Sequence, residues 1–418
     1  MAALSKVWQA VDVTAALRRV VSGGPVYLFF LFLFVAFLLT GAGAGVHALF
    51  VAGSRHAYGT YRQVPVAILI SSYAFFAIAS TGICIISSLG HVFGVRDLMP
   101  LAKRCVLLSI FTILSGFFVI GLELENPIRM AIYNVISPNF SSNIWWMGTL
   151  YGFEVVFLTV EFIFLMSGDH RTASKVGLVG VICGVAAISN LGGVFAMMHG
   201  REFWYGPFLP VFFIASAMMT GCAFIIFFTI IASFVGRKKI EAAVARALTV
   251  VSNLAVLMIA VALFFTIWRM VSLNVAGERQ LLELGAMVSG PFAFNFWGLE
   301  IVCGIVIPFI LLLLGKGRRP WLMFTASALV IFSVFFVRLD LVVIGEIVPY
   351  YIDLGVVEYS RLNAYMPTWH EGLVVLGGIG FCMSAFLFAE RVFDGYPEDV
   401  HDDAVSHEAA GERAEVVS

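Results

Sequence analysis

Residues 207–235 read PFLPVFFIASAMMTGCAFIIFFTIIASFV, without an Asp, Glu, Lys or Arg. About 20 mostly apolar residues cross the hydrocarbon of a bilayer as a helix. No water reaches the backbone there, and a helix bonds all of its N–H and C=O groups within one segment. This stretch is therefore expected to span a membrane.

The same pattern recurs outward from it. Apolar runs at about 25–50, 65–91, 105–123, 144–166, 176–199, 247–273, 291–314, 321–345 and 369–392 bring the expected spans to ten. The whole composition agrees: of 418 residues 61% are hydrophobic and only 12% charged, against about 25% charged in soluble chains. That is too little polar surface for a cytosolic enzyme, and a net charge of −1 gives no basic surface for nucleic acid. The expected fold is an all-α integral membrane protein embedded in the lipid bilayer. The first run is too long for a signal-peptide core and lacks a convincing cleavage site, so it reads as a retained helix.

Lys and Arg between the spans are unevenly divided. One side carries fifteen, the other only Arg55, Arg62, Arg129, Arg201, Arg279 and Arg361. Positive charge marks the cytoplasmic side, which puts both termini there and agrees with an even number of spans. Residues 1–24 form a cytoplasmic segment in which Val7, Trp8, Val11 and Ala15 share one helical face, as in an interfacial helix. Residues 393–418 are acidic with no apolar period, the pattern of a disordered tail.

Between these ends an internal repeat organises the chain. Tyr151-Gly-Phe-Glu154-Val-Val in the fourth span matches Trp297-Gly-Leu-Glu300-Ile-Val in the eighth, in the same orientation. The expected division is span 1 with its outer loop (25–64), a first four-helix bundle of spans 2–5 (65–206), a second of spans 6–9 (207–346), and an outer loop with span 10 (347–392). Many secondary transporters use inverted repeats instead. The outer loops 124–143 and 346–368 are long enough to serve as a platform for a partner, or simply to cap the bundle.

The cysteines, Cys84, Cys105, Cys183, Cys222, Cys303 and Cys382, form no CxxC and sit in apolar runs, where they read as packing residues. His47, His91, His199 and His370 lie near span ends, whereas a membrane haem needs histidine pairs facing each other within the helix bundle. No metal centre of its own is expected; any belongs to a partner.

Charged groups in hydrocarbon cost about 2.5–3.5 kcal/mol each on insertion scales, so each calls for a function or a partner. They are Glu154 and Glu161 in span 4, Arg269 in span 7, Glu300 in span 8, and Arg338, Asp340 and Glu346 in span 9. Two helical turns separate Glu154 from Glu161 on one face, about 10 Å along the axis. Buried carboxylates so arranged can pass protons. Glu154, Glu161, Glu300 and Asp340 are candidate steps, with Arg338 tuning an acid. At the cytoplasmic end Asp169, His170 and His91 either feed the path or are solvated loop residues, and only Asp169 is carried forward. The alternative is structural: Arg338 or Arg269 neutralising Glu154, Glu300 or Asp340.

Near the outer face gather Ser71, Ser72 and Tyr73, then Trp145 and Trp146, Asn190, and His199-Gly-Arg201-Glu-Phe-Trp204. An apolar aromatic slot with a few hydrogen-bonding groups suits a quinone. Ser72, Tyr73, Trp145, Asn190, His199 and Arg201 are its candidates. The interfacial aromatic belt competes for these residues and claims Trp146 and Trp204.

Several of these segments resemble one family. Asn143-Ile-Trp-Trp-x4-Tyr151-Gly, Trp204-Tyr-Gly-Pro-Phe-Leu-Pro and Phe296-Trp-Gly-Leu-Glu300 with Pro308 beyond it are similar to segments of the NrfD-like membrane subunits of polysulfide-reductase-type complexes. Arg338-Leu-Asp-Leu-Val-Val-Ile-Gly-Glu346 resembles that family's Arg-x-Asn-x-x-Ile-x-Gly-Gln, departing at Asp340 and Glu346. Tyr365-Met-Pro-Thr-Trp-His-Glu371 resembles the ten-span branch, with subunits of alternative complex III and related quinone reductases. The resemblance, over about 25–392, implies an eight-helix core and a bacterial inner membrane. It also implies menaquinone or ubiquinone bound near the outer face, with Asn190 at the place of a site-lining tyrosine and Ser71–Tyr73 near a polar site position. The implied partners are a ferredoxin-like iron–sulfur subunit and a larger extracytoplasmic catalytic or multihaem cytochrome c subunit. On the residues alone, a proton-coupled transporter and a haem b cytochrome stay open.

Overall fold

The computed structural model describes residues 18–237, 239–275, 277–349 and 362–393. The expected interfacial helix at 7–15, the acidic tail beyond 393 and residues 350–361 of the last outer loop lie outside the described residues. Within them the regular structure is helical, and ten helices are long and apolar enough to cross a membrane. They are α1 (Pro25–His47), α2 (Ile68–His91), α3 (Ala102–Glu123), α4 (Asn143–Met166), α5 (His170–Ala196), α6 (Phe208–Gly236), α7 (Ala242–Val275), α8 (Asn295–Gly315), α9 (Pro320–Ile347) and α10 (Trp369–Val392).

The expected spans fall on these helices, with two informative differences. A 3₁₀ segment, Arg96–Leu101, precedes α3 and contains Pro100. Helix α5 starts six residues earlier than hydropathy suggested, because the Asp169 side chain caps it by accepting from the Thr172 N–H at 3.1 Å. A cap can start a helix ahead of its apolar run.

Helices α2–α5 pack together as one four-helix group and α6–α9 as another, while α1 and α10 pair with each other against α3 and α2. The two groups meet where α2 crosses α6. There Gly82 lies on Gly221: a Cβ at 82 would stand 1.9 Å from the Ala217 carbonyl oxygen, and one at 221 would stand 2.3 Å from the Gly82 carbonyl carbon. Small residues let helices approach closely in lipid, where packing replaces the hydrophobic drive. Gly41 similarly sits on the Gly377 backbone between α1 and α10.

Helix α8 departs from α geometry. Residues Asn295–Val306 are π-helical, and ordinary α-helix resumes at Ile307–Gly315. Pro308 opens that last stretch; lacking an N–H and crowding the carbonyl four residues back, it disfavours a continuous α ladder at the junction. Wide turns of this kind are common at functional sites, and Glu300 lies inside this one.

Candidate functional site

A column of polar groups runs through the first bundle. The Tyr73 ring meets Tyr151 edge-on at 6.3 Å. One turn along α4 from Tyr151 is Glu154, fully buried, its Oε1 accepting from the Thr81 hydroxyl at 3.3 Å. Among the described residues its Oε2 has no hydrogen-bond partner. Two turns further on, Glu161 meets His91 Nε2, an ion pair whenever the imidazole is protonated; both side chains are 2% exposed. Glu154 thus has no cation on it, whereas Glu161 has one available.

The second bundle holds a different arrangement. Arg269 on α7 donates to Glu300 on α8 at 3.1 and 3.3 Å, and Thr266 donates to the same carboxylate at 3.5 Å. The π-helical backbone carries Glu300 to that meeting point. Arg338 on α9 is fully buried, bonds Ser216 and lies over the Phe212 and Phe213 rings, while its Nε and Nη1 have no partner. Glu300, Arg338, Thr266, Ser216 and Ser333 share a small cavity of about 20 Å³, room for a water molecule. Asp340 accepts from the Asn295 side chain at 2.9 Å. The expectation of an ion pair is met for Glu300 through Arg269, and not for Glu154.

These two clusters lie within a fold whose sequence places it among known proteins. Residues 56–349 match the family described as "Polysulphide reductase, NrfD". The chain belongs to the NrfD family. Over 356 residues, 75% of this chain and 82% of the relative, this NrfD-family protein is 21% identical to a subunit of the selenate reductase of Mesobacillus selenatarsenatis. Over 388 residues, 90% and 96% respectively, it is 20% identical to the "Hdr-like menaquinol oxidoreductase integral membrane subunit" of Archaeoglobus fulgidus. With ten apolar helices, it is a multi-pass membrane protein.

The other candidates occupy different settings in the NrfD chain. Ser72 and Ser71 are buried and donate back to the Ile68 and Ala67 carbonyls at 2.6 and 2.9 Å. Trp145 is half-buried and donates to the Asn134 carbonyl at 2.8 Å. Asn190 donates an amide N–H to the Asn143 carbonyl at 2.6 Å, and among the described residues its own oxygen accepts no hydrogen bond. A Cβ on Gly193 would find only that oxygen within 4 Å, so open space adjoins it. His199 is exposed, its ring tilted beside that of Tyr205 at 4.6 Å. Arg201 caps the end of α9, donating to the Gly345, Glu346 and Val348 carbonyls at 3.0–3.3 Å and to the Glu346 carboxylate at 3.2 Å. Asp169 is exposed; its carboxyl titrates below the usual range because Thr172 bonds it. Its place as a cap leaves His91 as the group at the end of the column.

Thr81 and Tyr151 carry no candidate role in the sequence, and His91 figures there only as a feeder of the path or a solvated loop residue. Their partners are distant in the chain, and a terminal histidine or lone threonine carries no signal of what it will face. Another buried acid, Glu283, was missed for a similar reason. It lies on a short helix, Glu278–Val288, fully buried, with Arg279 Nε 4.0 Å away. Burial pushes its carboxyl up to about 8. Because the folded value is raised, unfolded Glu283 ionises first as pH rises, so its contribution to stability is intact below about 4.5 and is lost by about 8. Glu283→Gln should flatten that decline; the check is the difference in thermal midpoint between the two proteins across this window. Parallel curves would show that Glu283 stays ionised when folded.

Proposed function

We propose that this chain is the quinone-interacting membrane subunit of a respiratory oxidoreductase complex, with both termini cytoplasmic in a bacterial inner membrane. An iron–sulfur subunit and a larger extracytoplasmic catalytic or multihaem cytochrome c subunit are its partners at the outer face. The observation that carries the reading is the column from Tyr73 through Tyr151 and Glu154 to Glu161 and His91. Buried protonatable groups follow one another along it. The menaquinol function named for the Archaeoglobus relative is in keeping with it.

Asn190 suits a quinone because its amide oxygen is unengaged and adjoins open space, so it can accept from a quinol hydroxyl. When bound, a menaquinone or ubiquinone supplies two-electron chemistry that takes up or releases two protons. Asn190 orients the head group, with Tyr73 and Trp145 as aromatic walls; Ser72, His199 and Arg201 support the backbone around them. Glu161, reached from the basic face through His91, and Glu154 hold and move protons, and the phenols of Tyr151 and Tyr73 continue the line outward. Glu300 and Arg338 line the water-sized cavity and Asp340 is bonded to Asn295; with Glu300 held by Arg269, this second group of charges is secondary to the column in moving protons. Moving each charge across 100 mV is worth about 2.3 kcal/mol, which the redox difference must exceed.

The test begins with purification. The complex should carry coloured partner subunits and oxidise or reduce a short-chain menaquinone analogue. Asn190→Leu should raise KM for that analogue about tenfold while kcat changes less, the loss of about one hydrogen bond. A colourless chain purifying alone, with no response to quinone analogues, would favour a proton-coupled transporter.

A further inference from the structure

Helix α5 carries Gly177 and Gly184 seven residues apart, the same interval that separates Glu154 from Glu161 on α4. The helices run in opposite directions, so the intervals match: Gly184 faces Glu154 and Gly177 faces Glu161. A Cβ at 184 would stand 2.6 Å from Glu154 Oε1 and 2.9 Å from its carboxyl carbon. One at 177 would stand 2.9 Å from the Glu161 carboxyl carbon and 3.0 Å from each of its oxygens.

Gly180, between them, differs. Its Cβ would meet Phe157 Cβ at 3.5 Å, an ordinary contact. At the Gly82–Gly221 crossing the obstacle is the opposing backbone, whereas at 177 and 184 it is the carboxylates themselves. Glu154 is fully buried in this seam with one oxygen unpartnered.

We propose that Gly184 and Gly177 are positioning residues: they keep a groove on α5 free of side chains, in which the carboxylates of Glu154 and Glu161 reorient to pass a proton. This rests on the proposed role of those acids. Two turns of helix put them about 10 Å apart, beyond direct hydrogen-bond reach. A proton leaves one carboxyl and reaches the other carboxylate only if a side chain swings or a water enters beside it. Either event needs room next to the acid, and bare backbone supplies it. A methyl at 184 holds Glu154 in a single pose or displaces it.

The test compares Gly184→Ala, Gly180→Ala, Glu154→Asp and the Gly184→Ala/Glu154→Asp double variant in the purified complex, turning over a short-chain menaquinone analogue. Gly184→Ala should slow turnover by up to about 100-fold, as an ångström-scale misplacement can. Gly180→Ala should leave it unchanged. The double variant should turn over faster than Gly184→Ala alone, since aspartate is shorter by one methylene. The infrared carbonyl band of protonated Glu154, identified by its loss in Glu154→Gln, should shift in Gly184→Ala and hold in Gly180→Ala. Independent losses that multiply in the double variant, or an equal loss at Gly180, would overturn the inference and leave ordinary helix packing. Wild-type turnover by Glu154→Gln would instead overturn the proton reading of Glu154 beneath it. If Gly184→Ala does not assemble, Gly177→Ala with Glu161→Asp puts the same comparison at the other acid.

Discussion

Replacing Glu154 with glutamine is expected to slow quinone turnover about 100-fold, the lower range for losing a positioned proton carrier, while a quinone-site inhibitor binds as before. Glutamine matches the shape of glutamate and its side-chain oxygen can still accept from Thr81, so packing within α2, α4 and α5 is preserved. What it cannot do is take up and release a proton. The measurement is steady-state turnover of the purified complex beside inhibitor titration by the same preparation. Equal losses of binding and turnover would assign Glu154 a structural role.

The second large effect concerns stability. Arg269→Met leaves Glu300 buried with only the Thr266 hydroxyl, and breaking a buried ion pair from one side costs about 3–5 kcal/mol. The thermal midpoint in detergent should fall markedly. Removing the second charge as well, in Arg269→Met/Glu300→Gln, should recover much of the loss, because the penalty lies in the stranded charge. A single variant as stable as the parent would mean that the pair does not hold α7 to α8. These two expectations separate the clusters: Glu154 is an acid without a cation, suited to exchange, and Glu300 is one half of a pair whose removal is felt first in the fold.

Relatives at 20–21% identity explain why family membership alone leaves the chemistry open. At that distance a fold is retained while site residues change. The departures at Asp340 and Glu346 now have partners. Asp340 accepts from Asn295, and Glu346 pairs with the same Arg201 that caps α9. Both added charges are thus bonded locally, and Glu346 helps to fasten the loop after α5 to the end of α9.

Much of the architecture was legible in the sequence for a simple reason. In a bilayer each spanning segment must satisfy its backbone alone and show apolar side chains to lipid, so length and hydropathy mark it without reference to its neighbours. That gave ten spans, the buried acids at 154, 161 and 300, and the matched motifs around two of them. What the sequence left out are local polar contacts: Asp169 caps α5, and Arg201 closes the carbonyls of α9.

Only the tertiary structure decided what the buried charges face. Glu154 and Glu300 sit in nearly the same sequence motif, yet one meets a threonine and a glycine and the other an arginine. Each partner lies on another helix, 73 residues away for Thr81 and 31 for Arg269. An apolar helix can be recognised one segment at a time, but the environment of a carboxylate is a property of the helices around it. Whether such a group is an exchanging acid or half of an ion pair is therefore fixed only when they pack.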